Sequence, residues 1–194
     1  MSGGQDLSTL EMADLAAWEQ WLEANHDRSA GVWLKLSNSG SPRRTVTRAD
    51  AIDAAVCCGW IDGQLGRHDQ HYFLIRFTPR KARSKWSQMN CERAKRLIAE
   101  GRMKPAGLAQ YEAAEADGRL EAAYPPQSRA SVPADFRAEL DAHPQAREFF
   151  DTLTAADRYA FTYRLHHVTD PQRRRERIAA YLELLMARGV PGRR

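Results

Sequence analysis

Residues 60–77 read Trp60-Ile-Asp-Gly-Gln-Leu-Gly-Arg-His-Asp-Gln-His-Tyr-Phe-Leu-Ile-Arg-Phe77, two alternating arms around a polar, His-rich middle. The pattern predicts a β-hairpin. In the first arm Ile61, Gly63 and Leu65 share one side and Trp60, Asp62 and Gln64 the other. In the second arm Phe73, Ile75 and Phe77 oppose Tyr72, Leu74 and Arg76. Side chains on a strand alternate, so a slip of one residue exchanges the two faces. The expected register pairs Ile61 with Ile75 and Leu65 with His71, with a short loop around Arg67-His68-Asp69. It sets Trp60 opposite Arg76 and makes Asp62 a diagonal neighbour of Arg76, within reach of long side chains.

Working outward, Gly31-Val-Trp-Leu-Lys-Leu-Ser predicts a further strand, with Val32, Leu34 and Leu36 on one side and Trp33 and Lys35 on the other. Leu15, Trp18, Trp21 and Leu22 fall at helical spacing within 11–25. Thr47-x-x-Asp50 resembles a capping box for a helix that stops at Gly59. Beyond the hairpin, 78–87 is a basic loop interrupted by proline. Ser87 suits the N-cap of a helix over 88–100, and Pro105 opens another that ends near Gly118.

Residues 119–132 contain Pro125-Pro126 and no period, which predicts a linker between a domain at 1–118 and a helical domain at 133–194. In the second domain Pro133, Pro144, Thr154-x-x-Asp157 and Asp170-Pro171 mark four helix starts. The expected fold class is α+β: a small helix-flanked antiparallel sheet domain followed by an all-helical C-terminal bundle.

A chain of 194 residues that is 43% hydrophobic and 28% charged can bury a core and is not a disordered tail. No apolar run approaches the ~18 residues of a membrane span, so membrane insertion is not expected. Met1-Ser-Gly-Gly-Gln-Asp-Leu lacks the basic-then-apolar pattern of a secretion signal. Cys57, Cys58 and Cys91 read as reduced thiols of a cytoplasmic protein. The net charge of +4 is uneven. Arg76, Arg80, Lys81, Arg83, Lys85, Arg93, Lys95, Arg96, Arg102 and Lys104 face only Glu92 and Glu100 between 76 and 104, a local excess that attracts anions.

Phosphate-loop, dinucleotide, zinc-protease and serine-hydrolase signatures are absent. Cys57-Cys58 and His166-His167 are adjacent pairs, which diverge on a helix, so neither a metal nor a cofactor is expected. The constellation that remains is Trp60, Asp62, Gln64, Tyr72, Arg76, Thr78, Arg80, Lys85, Trp86, Ser87 and Asn90. Aromatic rings beside guanidinium groups form a platform on which a flat or cationic group stacks. Arg76 and Arg80 can grip a carboxylate or phosphate, and free backbone N–H groups after Ser87 suit an anion. The alternative is that Asp62 and Arg76 neutralise each other while Trp60 and Trp86 fill a core.

Four linked stretches carry a resemblance. Cys-Cys-Gly-Trp-Ile-Asp-Gly-Gln (57–64), Tyr-Phe-Leu-Ile-Arg-Phe-Thr-Pro-Arg-Lys (72–81), Ser-Lys-Trp-Ser-Gln-Met-Asn (84–90) and Leu-Ile-Ala-Glu-Gly-Arg-Met-Lys-Pro-Ala-Gly (97–107) resemble the YdeI/OmpD-associated, or bacteriocin-protection, family of bacteria. Phe-Phe-Asp-Thr-Leu (149–153) and Arg-Arg-Arg-Glu-Arg-Ile (173–178) are similar to its helical end segment, so that the likeness spans about 10–190. The resemblance implies a link to bacteriocin tolerance or an outer-membrane porin, and brings no reaction or cofactor.

Three functional expectations follow. The first is a cytoplasmic, non-enzymatic protein of stress or bacteriocin tolerance, holding an anionic small molecule or a protein partner on the aromatic/Arg face at 60–90. The second is a nucleic-acid-binding protein using the basic segment 76–104, with Trp60, Tyr72 and Trp86 as stacking platforms. The third is an enzyme with Asp62 as acid/base and Arg76 as anion clamp.

Overall fold

The computed structural model describes residues 7–192, so Met1–Asp6 of the stretch read for a secretion signal lies outside the described residues. The chain divides into two compact units between Ala123 and Tyr124. The first contains the strands β1 (Thr9–Glu11), β2 (Val32–Ser37), β3 (Trp60–Arg67) and β4 (Tyr72–Pro79), with helices α1 (Leu15–Asn25), α2 (Arg48–Cys57), α3 (Gln88–Ala99) and α4 (Pro105–Ala116). The second is helical, with α5 (Ala134–Ala142), α6 (Pro144–Thr152), α7 (Ala155–His166) and α8 (Pro171–Met186).

The predicted helix starts hold because each is a local bond. Thr47, Ser87, Thr154 and Asp170 accept from the backbone N–H three residues on, at 3.2, 3.1, 3.2 and 2.8 Å. Each satisfies a donor that the helix itself leaves unpaired. The stretch 119–132 is partly structured. Leu120 and Ala123 join the first core, and Gln127–Arg129 forms a short 3-10 turn.

The sheet order is β1-β2-β4-β3, with β2–β4 and β3–β4 antiparallel. Residues 9–11, of which only Glu11 falls in the stretch 11–25 expected to hold a helix, form β1, which pairs parallel to β2 and makes the sheet mixed. Leu10 and Met12 pack against the core, which ties this end of the chain down.

The hairpin register departs from expectation. Trp60 pairs with Pro79, Ile61 with Thr78 and Asp62 with Phe77; after an irregularity between Asp62 and Leu65, Leu65 pairs with Ile75 and Arg67 with Phe73. A bulge adds a residue to one strand and switches which of its residues face each side. Trp60 therefore shares the Phe77 and Ile75 side with Val32, Leu34 and Leu36. There its ring meets Trp21 edge-on at 5.7 Å, Trp18 stacks on Trp21 at 5.3 Å, and its indole N–H donates to the carbonyl of His26 at 3.0 Å.

Helices α2 and α4 approach through glycine. A Cβ on Gly107 would stand 2.2 Å from the carbonyl oxygen of Cys57, and backbone cannot swing aside as a side chain can. Gly107→Ala is expected to push α4 off α2 and cost about 1–3 kcal/mol, the usual range for overpacking. Urea unfolding of the variant measures it; an unchanged midpoint would contradict this packing.

In the helical unit Phe136, Leu140, Phe150, Phe161, Leu165, Ile178, Tyr181, Leu182 and Leu185 form the core. Arg174 of α8 binds Asp135 of α5 through two nitrogens and also donates to the carbonyls of Leu165 and Val168. One side chain thus joins two neighbouring helices and completes the carbonyl end of α7.

Candidate functional site

The structure separates the eleven candidate residues into three environments. Trp60, Trp86, Arg80 and Asn90 are buried, and so is Tyr72. Trp86 is 2% exposed, edge-on to Tyr111 at 5.9 Å, and the Arg80 guanidinium lies 3.7 Å above its ring. That cation–π contact is spent inside the protein, so Trp86 is no open platform. Asn90 accepts from Arg93 at 3.2 Å, and Ser87 caps α3. Lys85 is exposed in the loop before that helix. Asp62, paired with Phe77, lies on the side of the sheet away from Arg76, so the expected Asp62–Arg76 neighbours do not form. The bulge is the reason: it gives β3 a parity that a continuous hairpin would not have.

Gln64, Tyr72, Arg76 and Thr78 do come together, on the outer face of the sheet. Trp33 and Lys35 join them, since Trp33 pairs with Arg76, Lys35 with Leu74 and Ser37 with Tyr72. Trp33 and Leu74 are half-buried and belong neither to the core nor to the residues packed against it. The ring of Trp33 reaches across the sheet to Gly66, where a Cβ would come within 3.5 Å of it. Glycine at that position leaves the indole room to lie over β3.

The electrostatics of this face are uneven. Tyr72 donates its hydroxyl to Glu11 at 2.7 Å, which holds the Glu11 carboxyl below its ordinary range and the Tyr72 phenol above its own. Lys35 pairs with Glu11 at 3.5 Å and stands 5.3 Å over the Tyr72 ring. Arg76 differs. It donates to the amide oxygen of Gln64 at 3.5 Å, and its Nε is sealed from solvent with no hydrogen-bond partner among the described residues. A guanidinium on a residue paired across the sheet with a tryptophan, and lacking a carboxylate partner among the described residues, is suited to a planar anion.

The basic segment 76–104 is largely committed internally. Arg93 and Arg96 both bind the buried carboxylate of Asp53, Arg96 and Arg102 pair with Glu100 at 3.1 and 3.5 Å, and Lys104 pairs with Glu23 at 2.7 Å. The adjacent thiols also lack reactive character, since burial raises the pKa of Cys57 and pushes that of Cys58 up to about 11. A thiol so protonated is a poor nucleophile at neutral pH. No group of three or more metal-ligating side chains occurs among the described residues, and no helix among them is long and apolar enough to cross a membrane.

Residues 129–188 match the family described as Bacteriocin-protection, YdeI or OmpD-Associated, and residues 10–110 match a Domain of unknown function (DUF8412). The chain belongs to the DUF8412 family, and its second unit is similar to the YdeI/OmpD-associated family. No curated protein and no solved structure matches it. The YdeI/OmpD-associated match lies entirely in the helical unit, so the likeness expected over 10–190 is narrower than the quoted stretches suggested. Those at 57–64, 72–81, 84–90 and 97–107 fall in the other domain, as does the outer face of the sheet.

Sequence reasoning passed over Trp33 and Lys35 as members of the site. The signal was present: alternation in 31–37 opposes both to Val32, Leu34 and Leu36. What was missing was the pairing of Trp33 with Arg76, a contact between residues far apart in the chain.

Proposed function

We propose that this protein is a non-enzymatic binding protein of bacteriocin tolerance that takes a small organic anion on the outer face of its sheet. Arg76 holds the anionic group, Gln64 orients the guanidinium, and Trp33 offers the surface on which a flat part of the ligand lies. The single observation that carries the reading is Arg76 itself, placed opposite Trp33 without a carboxylate partner among the described residues. The bacteriocin-protection family that the second unit resembles agrees with a protein that works by sequestering or sensing and not by turnover. Three free, buried cysteines agree with a reducing compartment such as the cytoplasm.

The test is a titration of the full chain with adenosine monophosphate, adenosine and inorganic phosphate, followed by two-dimensional amide NMR. Adenosine monophosphate is expected to shift amides of 31–37 and 72–79 more tightly than adenosine. Arg76→Ala is expected to weaken it by about tenfold, the loss of one charge-assisted contact of ~1.4 kcal/mol. Failure of both anions to perturb these amides at millimolar concentration, or an Arg76→Ala protein that binds unchanged, would remove the reading.

A further inference from the structure

The helical unit contains a cavity of about 320 Å3 that the sheet face does not explain. It is bounded by the stretch around Gln127–Val132 and by α5, α6 and α7. We propose that this cavity is a second binding site, for an organic monoanion with a short apolar body, such as a medium-chain carboxylate.

Its walls have two characters. Leu140 and Phe150, both 3% exposed, and Val132 supply apolar surface. Arg137, Arg147 and Arg158 bring three guanidinium groups from three different helices to the same space. Arg147 is already bound, to Asp141 at 2.7 Å and to Asp151 at 3.7 Å, and both aspartates line the cavity with it. Arg137 and Arg158 have no ion-pair partner among the described residues. Three arginines against two aspartates leave one positive charge uncompensated, which matches one negative charge and opposes a multiply charged phosphate.

The polar groups between these walls are mostly taken. Tyr159 donates its hydroxyl to the carbonyl of Pro125 at 2.9 Å, and Thr162 donates to the carbonyl of Tyr159 at 3.2 Å. The free charged capacity therefore rests on the two arginines, with the neutral side chains of Gln127 and Ser131 beside them, while Val132, Leu140 and Phe150 are left to be covered by apolar surface. Ligand pockets of ~300–1,000 Å3 commonly combine apolar walls with a few convergent polar groups, and this one stands at the small end of that range. An acid of about ten non-hydrogen atoms is of suitable size. Apart from Gln127, the site lies within the segment that matches the YdeI/OmpD-associated family, and it stands independently of the reading of Arg76.

The experiment uses the full chain, with octanoate, octanol and inorganic phosphate as probes and amide NMR as readout. Octanoate is expected to shift amides within 127–162 and to leave 31–37 and 72–79 in place, which separates this site from the sheet face. Arg137 is exposed, so Arg137→Ala should keep the fold, checked by an unchanged amide spectrum outside the cavity. It is expected to weaken octanoate several-fold, and the Arg137→Ala/Arg158→Ala pair by at least about tenfold. Octanol binding as tightly as octanoate would show an apolar crevice with no anion site. Phosphate binding as tightly would show that the apolar wall contributes nothing. Either result, unaltered affinity in Arg137→Ala, or octanoate shifts that fall elsewhere or nowhere would overturn the proposal.

Discussion

Trp60→Ala is expected to destabilise the first unit by about 3–5 kcal/mol, the range for removing a large aromatic side chain from a packed core. Trp60 is 1% exposed, contacts Trp21 edge-on, and donates its indole N–H to the carbonyl of His26. The substitution leaves a void beside Trp18, Trp21 and Phe77 and removes the donor to that carbonyl. A ligand platform on an open face would behave differently, since truncating an exposed ring alters stability little. Denaturant unfolding followed by tryptophan fluorescence distinguishes the two. A loss below about 1 kcal/mol would mean that Trp60 does not hold the core together.

Asp53→Asn is expected to cost about 2–4 kcal/mol at neutral pH, somewhat less than for a fully buried pair, because Arg96 is half in solvent. The Asp53 side chain is 10% exposed, with Arg93 Nε at 2.6 Å and Arg96 also bound to it. Burial alone would raise its pKa; the hydrogen bonds from Arg96 and Arg93 outweigh it, and the carboxyl is held below its ordinary value. A carboxylate whose pKa is lower in the folded than in the unfolded state contributes its full stabilisation above the unfolded value of ~3.9. That contribution is lost as the pH falls through the folded value. The difference between Asp53→Asn and the parent should therefore be constant at neutral pH and shrink in acid. Unfolding at a series of pH values measures it, and a difference independent of pH down to acid unfolding would show that charge is not what Asp53 supplies.

The parts of this fold that were readable early are those decided within a few residues. Thr47, Ser87, Thr154 and Asp170 each cap a helix by a bond to the N–H three positions on, and the side chain and spacing suffice to see it. The alternation of Val32, Leu34 and Leu36 against Trp33 and Lys35 is likewise a property of one strand. β1 was not readable in this way. Three residues carry no period of their own, and they become a strand only because Thr9, Leu10 and Glu11 find Trp33, Leu34 and Lys35 alongside.

The same division runs through the candidate site. Residue types suited to an anion were visible at Arg76 and Arg80, yet one is on the outer face and the other is closed over Trp86. The amino-acid order was enough to establish the α+β class, the helical second unit, the capped helix starts and the absence of familiar catalytic signatures. It could not choose the partner of Arg76. That choice depended on the sheet: the irregularity between Asp62 and Leu65 sends Trp60 to the core, and the pairing of β2 with β4 sets Trp33 opposite Arg76. A bulge reverses the facing of every side chain beyond it, and its position follows from how the whole sheet packs on its helices.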